Sequence, residues 1–164
     1  MKKWFQAIAA AVVFACTLPA AAQSGGTVRT HLDAWKVERA ADGSERLVAA
    51  QAARPGDLIQ YTATYSNTGK AAVRDLDATL PIPAGTEYVA SSARPQDAEA
   101  SIDGHSFAAM PLVRHVVRDG KPVEEAVPLR EYRALRWHAA ELGAGQTLEF
   151  KARVKVIDDA GSGK

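Results

Sequence analysis

Residues 54–71 read RPGDLIQYTATYSNTGKA. Ile59, Tyr61, Ala63 and Tyr65 recur at every second position, with Gln60, Thr62, Thr64 and Ser66 between them. A period of two sends these sets to opposite faces of a strand, and aromatic and β-branched residues suit a pleated, half-buried surface. Pro55-Gly56-Asp57 predicts a tight turn before the strand, and Asn67-Thr68-Gly69 supplies residues tolerant of positive φ after it. Nothing in the stretch is suited to chemistry, so it reads as framework.

The same pattern extends outward in both directions. Leu148, Phe150, Ala152, Val154 and Val156 alternate with Glu149, Lys151, Arg153 and Lys155, which predicts a long strand with one face on the core and one in water. Leu135, Trp137 and Ala139 precede it, and with Gly143-Ala144-Gly145 as the link the two runs are expected to form an antiparallel pair. In Ala72 to Leu80, Val73 falls out of phase with Leu76, Ala78 and Leu80, which predicts a bulge or an entering loop. Pro81-Ile82-Pro83-Ala84-Gly85 then interrupts pairing and suits an edge or a crossover between sheets.

Shorter elements complete the chain. Thr86, Tyr88 and Ala90 alternate, and Asp103-Gly104 predicts a hairpin turn. Trp35 and Val37 lie on a first strand that returns through Ala41-Asp42-Gly43-Ser44 toward Ala50. No amphipathic helical run of ten or more residues occurs, so the chain reads as an all-β sandwich or barrel. Trp35, Tyr61, Trp137 and Phe150 are expected to dominate its core, each burying about 150–250 Å².

The N-terminus, MKKWFQAIAAAVVFACTLPAAAQ, has basic Lys2 and Lys3, an apolar run from Ala7 to Leu18, and small Ala20 and Ala22. This three-part pattern predicts a cleaved secretory signal over residues 1–22, a mature start at Gln23, and no stable membrane span thereafter. Val13-Phe14-Ala15-Cys16 offers a competing lipid-attachment reading at Cys16, against which Phe14 is bulky where small residues are usual. The mature chain forms one domain over 23–157, with a flexible tail over 158–164. Cleavage leaves no cysteine, so the domain is held by its core alone.

The chain carries 20 Lys+Arg against 19 Asp+Glu, and losing the two leader lysines turns a net charge of +1 into −1. That balance gives no reason to expect nucleic acid as a partner. The histidines His31, His105, His115 and His138 form no ligand pair at metal spacing, so no metal and no other cofactor is expected. Gly104-His105-Ser106-Phe107 lacks the glycine-framed elbow of a hydrolase nucleophile. Asp75 with Asp77, and Asp97 with Glu99, suit solvated edge charges better than acid–base or calcium sites, because the oxygen-rich spacing of a calcium loop is missing. No catalytic residue is assigned, and an enzyme is not expected.

One segment departs from the plain sandwich pattern. Met110 to Leu129 contains Asp119-Gly120 as the tip of a projecting hairpin near 110–128, with basic Arg114, Arg118 and Lys121 near acidic Glu124 and Glu125. Cross-strand charge pairing is the plain expectation. The functional alternative makes Arg114, Val116, Val117, Arg118 and Lys121 a partner surface, because function concentrates on loops carried by a rigid scaffold.

The run Pro55-Gly56-Asp57-Leu58-Ile59-Gln60-Tyr61-Thr62, followed by Tyr65-Ser66-Asn67-Thr68-Gly69, resembles the bacterial surface-protein family catalogued as domain of unknown function eleven. Leu80-Pro81, Gly85-Thr86-Glu87-Tyr88-Val89, Ser101-Ile102-Asp103-Gly104, Leu135-Arg136-Trp137 and Leu142-Gly143-Ala144-Gly145 extend the likeness across about residues 36–157. The resemblance implies an immunoglobulin-like β-sandwich of antiparallel strands, periplasmic or cell-surface location, and a structural or adhesive role without catalytic residues. It leads to the expectation of a non-catalytic module that meets an envelope protein, with a periplasmic small-molecule or glycan carrier as the alternative.

Overall fold

The computed structural model describes residues 27–157, so the predicted signal, Cys16 and the predicted tail lie outside the described residues. The chain is a β-sandwich. Its first sheet contains β1 (Val28–Arg39), β2 (Glu45–Ala49), β3 (Leu58–Asn67), β5 (Thr86–Tyr88) and β11 (Thr147–Val156), ordered β2-β1-β3-β11-β5. The second contains β4 (Val73–Pro81), β6 (Glu99–Ser101), β7 (Ala108–Ala109) and β10 (Ala134–Leu142), ordered β4-β10-β6-β7. A separate ribbon pairs β8 (Val113–Arg118) with β9 (Lys121–Ala126), followed by a 3₁₀ turn at Leu129–Glu131. Every pairing is antiparallel.

β3 sits between β1 and β11, and its alternation sends Ile59, Ala63 and Tyr65 into the core with Tyr61 half-buried. The turn before it forms as expected: Asp57 N–H donates to Arg54 C=O at 2.9 Å, and Gly56 takes φ 89°. The segment after it works differently. Asn67 is the last residue of β3 and is buried, and neither it nor Gly69 adopts positive φ. Its Nδ2 donates to Ala71 C=O at 2.8 Å and Leu142 C=O at 2.9 Å, while Oδ1 accepts from Gly69 N–H at 2.9 Å. Gly69 is needed for closeness, since a Cβ there would lie 2.9 Å from Thr27 Cβ.

The expected β10–β11 pair does not form. β10 pairs with β4 and β6, whereas β11 pairs with β3 and β5, so the Gly143–Gln146 link arches from one sheet to the other. The apolar faces of β10 and β11 therefore meet across the core instead of lying side by side: the Trp137 and Phe150 rings are 5.1 Å apart, and Tyr65 meets Phe150 edge-on at 5.8 Å. Trp137 is buried, and its indole N–H donates to Pro95 C=O at 2.8 Å. The 81–85 segment makes the expected crossover, carrying the chain from β4 to β5.

Two further expectations need correction. Trp35 lies outside the core at 37% exposure. It pairs with Gln60, whose side chain has the opposite parity to Ile59 and Tyr61, so the indole leaves the sheet on the side away from the second sheet. No residue of β1 or β2 is buried, and of these two strands only Val28 packs against the core. The phase change in β4 is likewise not a register-shifting bulge. Pairing with β10 keeps one register from Val73 to Pro81, and Asp75 alone twists to φ 54°.

Candidate functional site

The β8–β9 ribbon turns on two residues, Asp119 (φ 51°) and Gly120 (φ 73°), both left-handed. Such a turn matches strand twist and fixes register, placing Arg114 opposite Glu125, Val116 opposite Val123 and Val117 opposite Pro122. The base of the ribbon is bolted to the sandwich. Leu112 and Val127 are buried there, Val127 N–H donates to Leu112 C=O at 2.9 Å, and Leu112 N–H donates to the Tyr132 phenol at 2.8 Å. Tyr132 is itself fully buried, its ring stacked on Tyr88.

Alternation divides the predicted partner residues between two faces. Arg114, Val116, Arg118 and Lys121 share one face with Val123 and Glu125, while Val117 lies on the other with Val113, His115 and Pro122. The charged face is largely satisfied within the molecule. Arg114 donates to Glu131 at 2.8 Å and reaches Glu125 at 3.5 Å, and Arg118 donates to Glu125 at 2.9 Å. Arg118, with Arg114 behind it, holds the Glu125 carboxyl below its ordinary range. Lys121 stands exposed beside the turn, and Val116 is half-buried.

The opposite face is open and mixed, with the exposed His115 and Glu124 facing each other at 4.0 Å between Val113 and Val117. Val117 is 75% exposed and Val113 54%, with Pro122 beside them. Val113 was not singled out from the sequence. The signal that could have found it is the two-residue turn at Asp119-Gly120, which fixes which valines share a side. At the root of the ribbon lies an open groove of about 360 Å³, lined by Met110, Pro111, Leu129, Tyr132, Tyr88 and Ser91 among others.

The remaining polar clusters resolve into cross-strand pairs on the outside of the second sheet. Arg136 donates to Glu99 at 2.6 Å and lies 4.3 Å over the Phe107 ring, while His138 Nδ1 is 3.0 Å from Asp77. Asp75 and Asp77 are both well exposed. Asp103 Oδ1 accepts from the backbone N–H groups of His105 and Ser106, each at 2.7 Å, so the Gly104–Phe107 segment is a built turn. Those two N–H groups, that of Ser106 foremost, hold the Asp103 carboxyl far below its ordinary range. Among the described residues no group of three or more His, Cys, Asp or Glu is placed to hold a metal ion, and no helix is long and apolar enough to cross a membrane.

No family model, curated protein or solved structure matches the chain.

Proposed function

We propose that this protein is an exported, non-catalytic module of immunoglobulin-like type that acts at the cell envelope by presenting the β8–β9 ribbon to a protein partner. The observation that carries this reading is the pairing of a buried root with exposed valines: Leu112, Val127 and Tyr132 anchor a ribbon whose Val113 and Val117 stand in solvent. Exposed apolar side chains on a rigidly held projection are costly to leave in water and mark interaction surfaces. Because Arg114 and Arg118 already have carboxylate partners, the fitting partner is one that offers an apolar, extended segment rather than an acidic one. The N-terminal leader pattern supports export.

The test is crosslinking in fractionated cells with Val113→Asp, Val117→Asp and the double variant beside the unaltered protein. The expected result is one discrete adduct in the envelope or periplasmic fraction that is lost in the double variant, with an unchanged melting temperature. An adduct that persists in the folded double variant overturns this surface.

The root groove favours a second reading, a periplasmic carrier, because its volume lies within the range of small-molecule sites. Tyr88 and Tyr132 stack on each other there and are buried, which leaves little aromatic face for a sugar. A thermal shift on adding a small-molecule or glycan panel would support the carrier.

A further inference from the structure

We infer that β1 is a self-complementary edge through which two copies of this chain pair about a two-fold axis. The inference is independent of the β8–β9 ribbon. β2 covers β1 from Trp35 to Arg39 and its exit at Ala50 flanks Ala34, so among the described residues Val28 to Asp33 pair on one side alone, with β3. The direction of the unused backbone groups follows from bonds at both ends of the strand. Thr68 N–H donates to Thr27 C=O, which turns the odd-numbered residues toward β3. Ala40 N–H donates to Ser44 C=O, which turns the even-numbered residues the other way. Val28, Thr30 and Leu32 therefore aim their N–H and C=O groups at the open side, whereas Ala34 faces Ala50, the residue that follows the Trp35–Ala49 pair.

An unpaired row of this length is a template for another strand, and several of the molecule's other edges are blunted. β5 and β7 are three and two residues long. β4 carries the φ 54° twist at Asp75 and ends in Pro81, and β9 has Pro122 within it. The β1 edge has no proline and no left-handed residue.

Its side chains specify the occupant. An antiparallel copy centred on His31 puts Thr30 opposite Leu32 in both halves, pairing the residues with free backbone groups, and the pairing ends where Ala50 flanks Ala34. The same register sets Arg29 of each copy opposite Asp33 of the other, forming two opposite-charge pairs on the outer face, with His31 meeting its own copy on the axis. On the inner face Leu32 is 45% exposed. Pairing brings the two Leu32 side chains into diagonal contact. Backbone and side-chain complementarity thus select a single register, and closed two-fold pairing consumes both edges and stops further growth.

Sedimentation of the purified protein over a concentration series tests this. Unaltered protein should show a concentration-dependent dimer. Arg29→Asp and Asp33→Arg each put like charges opposite one another twice, so each should weaken association at least ~10-fold. Mixed in equal amounts, the two variants restore opposite-charge pairs and should dimerise as the unaltered protein does. Thr30→Pro removes an outward N–H without touching the β3 ladder and should give a folded monomer, with circular dichroism checking the fold. Unaltered protein that stays monomeric throughout overturns the proposal, as does a dimer that survives the folded single charge variants, or single variants whose mixture does not re-associate.

Discussion

The phenol of Tyr65, reaching across from the first sheet, closes the free edge of β4 at Thr79. It donates to Thr79 C=O at 3.2 Å and accepts from Thr79 N–H at 3.1 Å, so one side chain stands in for a missing neighbouring strand. Tyr65→Phe keeps the ring that packs on Phe150 and removes both bonds. The expected cost is about 1–3 kcal/mol, because two backbone groups are left unpaired in a part-buried site. Urea denaturation measures it, and an unchanged midpoint would show that water replaces the phenol without loss.

Asn67 joins the two sheets through its amide. Asn67→Ala deprives Leu142 C=O, Ala71 C=O and Gly69 N–H of their partner and should cost about 3 kcal/mol. Asn67→Asp should be worse at neutral pH, since a carboxylate cannot donate and would face two carbonyl oxygens in a buried site. Equal stability of the Ala and Asp variants by thermal melting would contradict this account.

Trp137 and Trp35 should behave as opposites. Trp137→Ala opens the centre of the core and orphans Pro95 C=O, for an expected loss of about 3–5 kcal/mol, whereas Trp35→Ala should cost about 1 kcal/mol. Fluorescence of the single-tryptophan variants, made without the leader, checks the assignment. Acrylamide should quench the emission of Trp35 strongly and that of Trp137 weakly.

Acid should destabilise the fold through specific turns. The Asp103 carboxyl is lowered by the N–H groups of Ser106 and His105, and that of Asp57 by the N–H of Arg54 and then by Lys36. Groups depressed in the folded state stabilise it fully above the unfolded carboxylate range and lose that contribution as pH falls through the folded value. The melting temperature should thus hold down to about pH 5 and drop below about pH 4. Asp103→Asn, which keeps an acceptor but does not titrate, should flatten part of that drop.

The alternation of β3 and β11 was legible because each has one face in the core and one in water. Partner choice was not. The short link at Gly143–Gln146 can serve a hairpin within one sheet or an arch between two, and alternation in Leu135–Ala139 is the same for either. Trp35 was misread for a related reason: the parity of β1 is set by its register with β3, and residue type says nothing about register. The turn chemistry of Asp119-Gly120 located the ribbon, and strand alternation on either side of it already sets Val117 and Val116 on opposite faces.

The central place of β3 also has an order in time. One of its neighbours, β1, precedes it closely in the chain, and the other, β11, begins only at Thr147. A contact of such long sequence separation forms late, after its loop-closure entropy has been met. While the chain emerges end-first, the three strands β2-β1-β3 can assemble, with β1 in the middle, but the far side of β3 stays unpaired until the last strand arrives. During that interval the segment RPGDLIQYTATYSNTGKA presents an unpaired strand edge. Whatever escorts the chain before it is complete has β3 to hold.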